Sequence, residues 1–167
     1  LKTLDVSVKD VPKLALEQPS QLAWTGQQFS ATDICLAGGG PKLCVGGNGA
    51  KDGSLAAKYR IDALPLALVM KLASPDTPLR VEGVIGGHGD ILRDAGGAFN
   101  GVATLASDKG SVAYPDNASQ PLIAYTNLAL DTTLAPQAIH ATARAALDHD
   151  GKIDGDVALN GPPGSAQ

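Results

Sequence analysis

Large side chains are what this sequence most lacks. Two Phe, one Trp, three Tyr and a single Met are spread over 167 residues, too few to fill a wide interior between two packed layers. A β-sandwich of this length calls for more bulk at its centre. Basic clusters are missing as well. The 13 Lys and Arg are scattered and the formal net charge is -4, which argues against a surface for nucleic acid or an anionic membrane. No run approaches the ~20 apolar residues that span a bilayer as a helix. The chain starts at Leu1 with neither Met nor a signal-like segment and ends near Gly161-Pro162-Pro163-Gly164, so it is expected to be a piece of something longer.

What is present is alternation. Apolar residues take every second position at Leu4, Val6 and Val8, at Leu55, Ala57, Tyr59 and Ile61, at Leu79, Val81, Gly83 and Ile85, and at Ile153, Gly155, Val157 and Leu159. Gly, Pro, Asp, Asn or Ser break these runs at roughly the eight-to-twelve-residue spacing of short strands. A period of two gives each strand one apolar and one wet face, so the chain reads as mainly all-β, a long antiparallel meander in an open or curled sheet. The hydrophobic content of 44% comes largely from Leu, Val, Ile and Ala, which line a surface better than they fill an interior.

Two segments depart from this pattern. Over 62–73, Leu64, Leu68 and Leu72 lie four apart, Asp62 can cap a helix start and Pro65 is tolerated in a first turn, with Ser74-Pro75 as the stop. This predicts a short helix, apolar over most of its circumference and buried against the sheet, either as ordinary packing or as a plug lying in a groove. Gln137 to Leu147 suits a helix by its alanine content and a strand by its alternation. The turn Asp148-His149-Asp150-Gly151 and the alternating run after it favour a strand in a hairpin.

The two cysteines, Cys35 and Cys44, flank Gly38-Gly39-Gly40-Pro41. A four-residue turn there pairs Ala37 with Lys42, Leu36 with Leu43 and Cys35 with Cys44, placing both sulfurs on one face of a hairpin within reach of a bridge. Closing so short a loop stabilises by roughly 2–3 kcal/mol if unstrained and points to an oxidising compartment, in a bacterium the periplasm. The alternatives are two buried free thiols or, less well supported, a two-Cys zinc site, for which His88, His140 and His149 have no suitable spacing.

Other apparent motifs fall short. Asp148 to Asp154 imitates the middle of an EF-hand loop, but its terminal ligand positions are Ala146 and Val157. Gly86-Gly87-His88-Gly89-Asp90 lacks a second copy of a calcium β-roll repeat and reads as a pliant strand or a bulge. The glycine runs lack the ending of a phosphate loop, and neither Gly53-Ser54 nor Gly110-Ser111 completes a nucleophile elbow. No local nucleophile, base and orienting group can be assembled, so the expectation is a protein without catalysis, metal or cofactor.

Trp24-Thr25-Gly26, then Ile34-Cys35-Leu36 and Leu43-Cys44-Val45 with Gly46-Gly47, then Asp52-Gly53-Ser54-Leu55 and Tyr59-Arg60-Ile61-Asp62-Ala63-Leu64-Pro65-Leu66 follow one another in an order that resembles the middle region of the TamB family. Leu79 to Gly87 and Phe99 to Leu105 resemble its recurring strand-Gly-strand cadence. The similarity is strongest over about residues 20–110 and is carried beyond by general character. It implies a sheet folded lengthwise into an apolar trough (a β-taco), as in AsmA-like lipid-transfer proteins. It also implies a periplasmic segment of a long parent anchored in the inner membrane of a Gram-negative bacterium, which meets an outer-membrane barrel (TamA-like) through another part of its length.

Taken with the alternation, the resemblance predicts that residues 1–167 form one segment of a longer repetitive groove. A disulfide-closed hairpin at 35–44 and the helix at 62–73 belong to it. About 12 strands at ~4.8 Å spacing would extend it about 55 Å. By alternation, Leu4, Val6, Val8, Leu55, Ala57, Tyr59, Ile61, Leu79, Val81 and Ile85 line the wall, where phospholipid acyl chains bind. The competing expectation is a chaperone that templates unfolded outer-membrane proteins through strand edges. An extracellular β-solenoid would need a strict repeat length, which is not found.

Overall fold

The computed structural model describes residues 1–7, 12–114 and 121–161. In chain order the elements are β1 (Asp5–Val6), β2 (Leu14–Leu16), β3 (Leu22–Trp24), β4 (Gln28–Ala37), β5 (Lys42–Ala50), β6 (Leu55–Pro65), α1 (Leu66–Ala73), β7 (Arg80–Arg93), β8 (Phe99–Ala113), β9 (Ile123–Ala135), β10 (Ala138–Leu147) and β11 (Lys152–Asn160). All 11 strands form one sheet in the order β1-β2-β4-β5-β6-β7-β8-β9-β10-β11, with β3 beside β2 on the edge of β4. Every pairing is antiparallel. No second sheet faces it among the described residues, and its two ends do not pair, so it is neither sandwich nor barrel.

Short turns drive this order. Gly38 N–H donates to Pro41 O at 3.1 Å, and the register of β4 and β5 is the expected one, Cys35 opposite Cys44. Between β5 and β6, Asp52 Oδ1 accepts from the Ser54 backbone and hydroxyl (2.9 and 2.7 Å), an Asx turn completed by Gly53 at φ +89°. Of Gln137 to Leu147, all but Gln137, which lies in the preceding turn, resolves as a strand, β10. Its hairpin to β11 turns through His149 and Asp150, both left-handed at φ 56° and 61°, as two-residue hairpin turns require.

The helix is shorter than its sequence pattern suggests. Residues 62–65 remain in β6, with Leu64 opposite Ile85 and Pro65 opposite Val84, and the helix begins only at Leu66. Asp62 does not cap it. Asp62 points to the other face and pairs with Arg60, while Pro65, extended at φ -61° and ψ 128°, occupies the cap position without a side-chain hydrogen bond. Ladder bonds to β7 hold this stretch extended until Pro65, which has no N–H to donate, ends the strand.

Bulges bend the strands. Register shifts occur between Ala31 and Ile34, Ile61 and Leu64, Gly83 and Gly86, and Arg144 and Ala146. The last three fall in neighbouring rows, so a line of irregularity crosses the sheet from β6 to β10, as a curled sheet requires. Ala63 and Asn127, at φ 50° and 53°, sit on this line. The bulge in β4 is held by buried Ser20, whose hydroxyl is shared between the Thr32 and Asp33 carbonyls at 2.9 and 3.0 Å.

Three aromatic rings lie against glycines directly across a strand pair: Phe29 opposite Gly49, Tyr59 opposite Gly89 and Tyr125 opposite Gly110. A Cβ at Gly49 would come within 2.5 Å of the Phe29 ring, and the other two glycines are equally covered. The Tyr59 hydroxyl donates to Thr104 O at 3.1 Å, two strands away, and the Tyr125 hydroxyl bonds Ser107 Oγ at 3.0 Å. Each ring thus fills the gap a glycine leaves. Gly89→Ala should therefore destabilise by about 1–3 kcal/mol through overpacking. Gly155→Ala, whose nearest neighbour would lie 4.0 Å away, should be neutral or slightly stabilising. Urea unfolding midpoints of the two variants check the contrast.

Candidate functional site: the apolar face of the sheet

Residues paired across neighbouring strands share a face, so the register sorts the side chains. One row runs Leu36, Leu43, Ile61, Gly87, Leu105, Leu130, Ala143 and Gly155 from β4 to β11, and the next runs Ile34, Val45, Tyr59, Gly89, Ala103, Thr132, Ala141 and Val157. The opposite face carries Cys44, Arg60, His88, Thr104, Asp131, Thr142 and Asp156 in a single row. Along β7 the apolar face is half-buried or buried and the polar face exposed except at Gly86. Among the described residues, α1 is the one element packed on the apolar side.

The register places Val6, Leu55, Ala57, Tyr59, Ile61, Val81 and Ile85 together on this face. Leu4 flanks β1, its carbonyl accepting from Leu16 N–H at 2.8 Å, and Leu79 immediately precedes β7. Val8 lies outside the described residues. The face also includes Leu43, Val45, Ile91, Leu105, Leu134 and Ile139, which alternation over Leu4 to Ile85 had not gathered. Glycines in the intervening positions of β5, β7 and β8 hide their period.

Helix α1 covers one corner of the face. Leu68, 3% exposed, meets Leu14, Leu36 and Leu64, with Val6, Leu16, Ile61, Val69 and Ile85 around them. Leu72 is 63% exposed, so one flank of the helix packs and the other faces solvent. Between α1 and the start of β7 lies a cavity of about 560 Å³ whose lining includes Ala67, Met70, Leu79 and Val81. Leu68→Ala should cost about 2–5 kcal/mol as a buried truncation, whereas Leu72→Ala should cost less than about 0.5 kcal/mol, as surface substitutions do. Denaturant unfolding of the pair measures the difference.

The polar face is laced with exposed polar pairs: Lys42 with Glu17 (2.6 Å) and Lys58 with Asp33 (2.9 Å) as ion pairs, and the His140 ring hydrogen-bonded to Asp156 (2.8 Å). Lys58 reaches over Gly46, where a Cβ would sit 2.6 Å from Asp33 Oδ1. The hydrogen bond and charge of Asp33, helped by Asp90, raise the Lys58 pKa above its ordinary 10.5. That contribution is present below pH 10.5 and is lost as pH rises through the folded value. Such solvated pairs add solubility more than stability. The Cys35–Cys44 disulfide forms and lies on this polar face, away from the apolar rows.

Among the described residues, no three His, Cys, Asp or Glu side chains gather as metal ligands, and no helix is long and apolar enough to cross a membrane. The family model described as TamB, N-terminal domain, matches residues 1–167. The chain belongs to the TamB family. The matched region is the N-terminal domain, where the order of sequence motifs had resembled the family's middle. No curated protein and no solved structure matches the chain. TamB membership supports a role in bridge-like transport of lipid or protein within the translocation and assembly module.

In this TamB-family sheet the disulfide ties β4 to β5 one residue from Leu36, which packs with Leu68 of α1. Reduction, or the double change Cys35→Ser with Cys44→Ser, should lower unfolding free energy by about 2–3 kcal/mol. The same urea titration with and without dithiothreitol checks this.

Proposed function

We propose that this chain is a non-enzymatic periplasmic segment whose apolar trough holds acyl chains while phospholipid moves between the inner and outer membranes. The observation that carries the reading is the continuity of the apolar rows from β4 to β11, with α1, among the described residues, the one element packed on them, at one corner. A stable monomeric sheet normally covers such a face with a second layer. Each buried methylene is worth roughly 0.8 kcal/mol, so a sixteen-carbon chain gains on the order of 10 kcal/mol along a continuous lining. The headgroup stays wet at the open seam, and the chemistry requires no cofactor. Inner-membrane anchorage and contact with an outer-membrane TamA barrel belong to the parent protein.

A second reading, a chaperone for outer-membrane proteins, draws on one feature. Among the described residues the outer edge of β11 has no partner strand along Lys152–Asn160, with Val157 and Leu159 54% and 55% exposed, a template for strand addition.

Photocrosslinking side chains introduced singly at Ala103 and Ala141 on the apolar face, and at Val102 and His140 on the polar face, separate the readings. Lipid adducts from the first pair and not the second are expected, with lipid retained in native mass spectrometry. Leu105→Asp, which places a charge in the lining, should abolish lipid retention while the folded circular dichroism spectrum persists. Adducts to unfolded barrel proteins from β11 positions, with no lipid at any apolar-face position, would favour the chaperone.

A further inference from the structure

Among the described residues, one ladder-paired residue on the apolar face is charged. Arg93 closes β7, opposite Leu55 on β6 and Phe99 on β8, in the outermost row beside the turns that join β5 to β6 and β7 to β8. Every other Lys, Arg, Asp or Glu paired in the ladders falls on the polar face. A charge on a face otherwise selected for apolar character needs a partner that justifies its desolvation.

The guanidinium is held in place. It lies 5.8 Å from the centre of the Phe99 ring, donates one N–H to the Gly53 carbonyl and sits between two glycine turns. A Cβ at Gly53 would meet Nη1 at 2.8 Å, and one at Gly97 would meet Nη2 at 3.4 Å. The carboxylates of those turns are engaged elsewhere, Asp52 with Ser54 and Asp94 with Ala98 N–H. Among the described residues no acid lies within ion-pair distance of Arg93. Arginine presents five N–H donors in a planar fork suited to two phosphate oxygens, and the structure commits one of them to Gly53.

We infer that Arg93 is a phosphate site at the rim of the trough, which takes the phosphate ester of a lipid headgroup whose tail lies on the neighbouring apolar rows. This rests on the trough reading and adds headgroup recognition to it. A neutral amphiphile would then use the lining alone, and a phosphorylated one would use lining and rim together.

The test compares dioleoyl phosphatidate, dioleoylglycerol and inorganic phosphate on the intact chain. The wild type should hold phosphatidate about tenfold more tightly than dioleoylglycerol, the scale of a charge-assisted hydrogen-bond pair, and this preference should shrink with added salt. Arg93→Gln should erase the preference and leave dioleoylglycerol binding unchanged, Arg93→Lys should keep part of it, and Arg60→Gln on the polar face should leave it intact. An intact preference in Arg93→Gln, or equal loss of both lipids, overturns the inference, the second by showing that Arg93 only packs. If Arg93→Gln fails to fold, the wild-type salt series decides: a salt-independent preference overturns the inference. Competition by inorganic phosphate as strong as that by phosphatidate would make this a free-anion site and overturn the lipid assignment. Failure of the wild type to bind either lipid overturns the trough reading itself.

Discussion

A strand that gains one residue in a bulge turns every later side chain to the opposite face, and this sheet is bulged repeatedly. Its apolar face nevertheless stays continuous, because the sequence changes phase where the backbone does. In β4, Phe29 and Ala31 are followed by Ile34 and Leu36, a step of three across the register shift. In β6, Leu55 to Ile61 step by two and then skip to Leu64. In β9, Tyr125 is followed by Leu128 and Leu130 on either side of left-handed Asn127. Curvature and an unbroken lining therefore arise together: the bulges bend the strands and the offset pattern keeps the greasy side inward.

A bent single sheet has no opposing layer to supply a core, and the stabilising elements are correspondingly distributed. Backbone ladders run the length of β4 to β11. Rings cover the glycines that curvature demands, which restores contact where side chains would collide. The nearest thing to a conventional core is the corner where α1 meets Leu14, Leu36 and Leu64, and the disulfide fastens the hairpin beneath that corner from the polar side. Exposed ion pairs keep the outer face wet.

Much of this was legible in the residues. Alternation and the poverty of aromatics indicated one open antiparallel sheet, and Gly38 to Pro41 fixed the β4–β5 register and so the disulfide. The helix start was misplaced by four residues because Leu64 serves two periods at once: four before Leu68 in a helix, three after Ile61 across a bulge in a strand. Only pairing with Ile85 decides between them. Several wall positions were hidden where glycine takes the apolar slot, as at Gly47, Gly87 and Gly101, and only the register of their neighbours reveals the face. Arg93 is likewise unmarked in the sequence. In sequence it is one more scattered base after Ile91, and its oddity exists only once the other charges are seen on the far side.

The lining proposed for acyl chains differs from an ordinary lipid pocket in one respect that follows from these constraints. A deep pocket holds a tail by shape, and the gain of roughly 0.8 kcal/mol per methylene then opposes release. Along β5 to β10 the middle rows are instead built from Gly, Ala and an occasional Thr between larger residues, a shallow relief with similar contact at each successive strand. On the proposed reading, a tail moving by one strand spacing would exchange one set of such contacts for another, so the gain on entering water-free surface would be kept while the barrier to displacement stayed low. On that reading, so shallow a floor would discriminate little between cargoes. Discrimination would then fall to the rims, where the face meets its turns and where, among the described residues, its one paired-strand charge, Arg93, is placed.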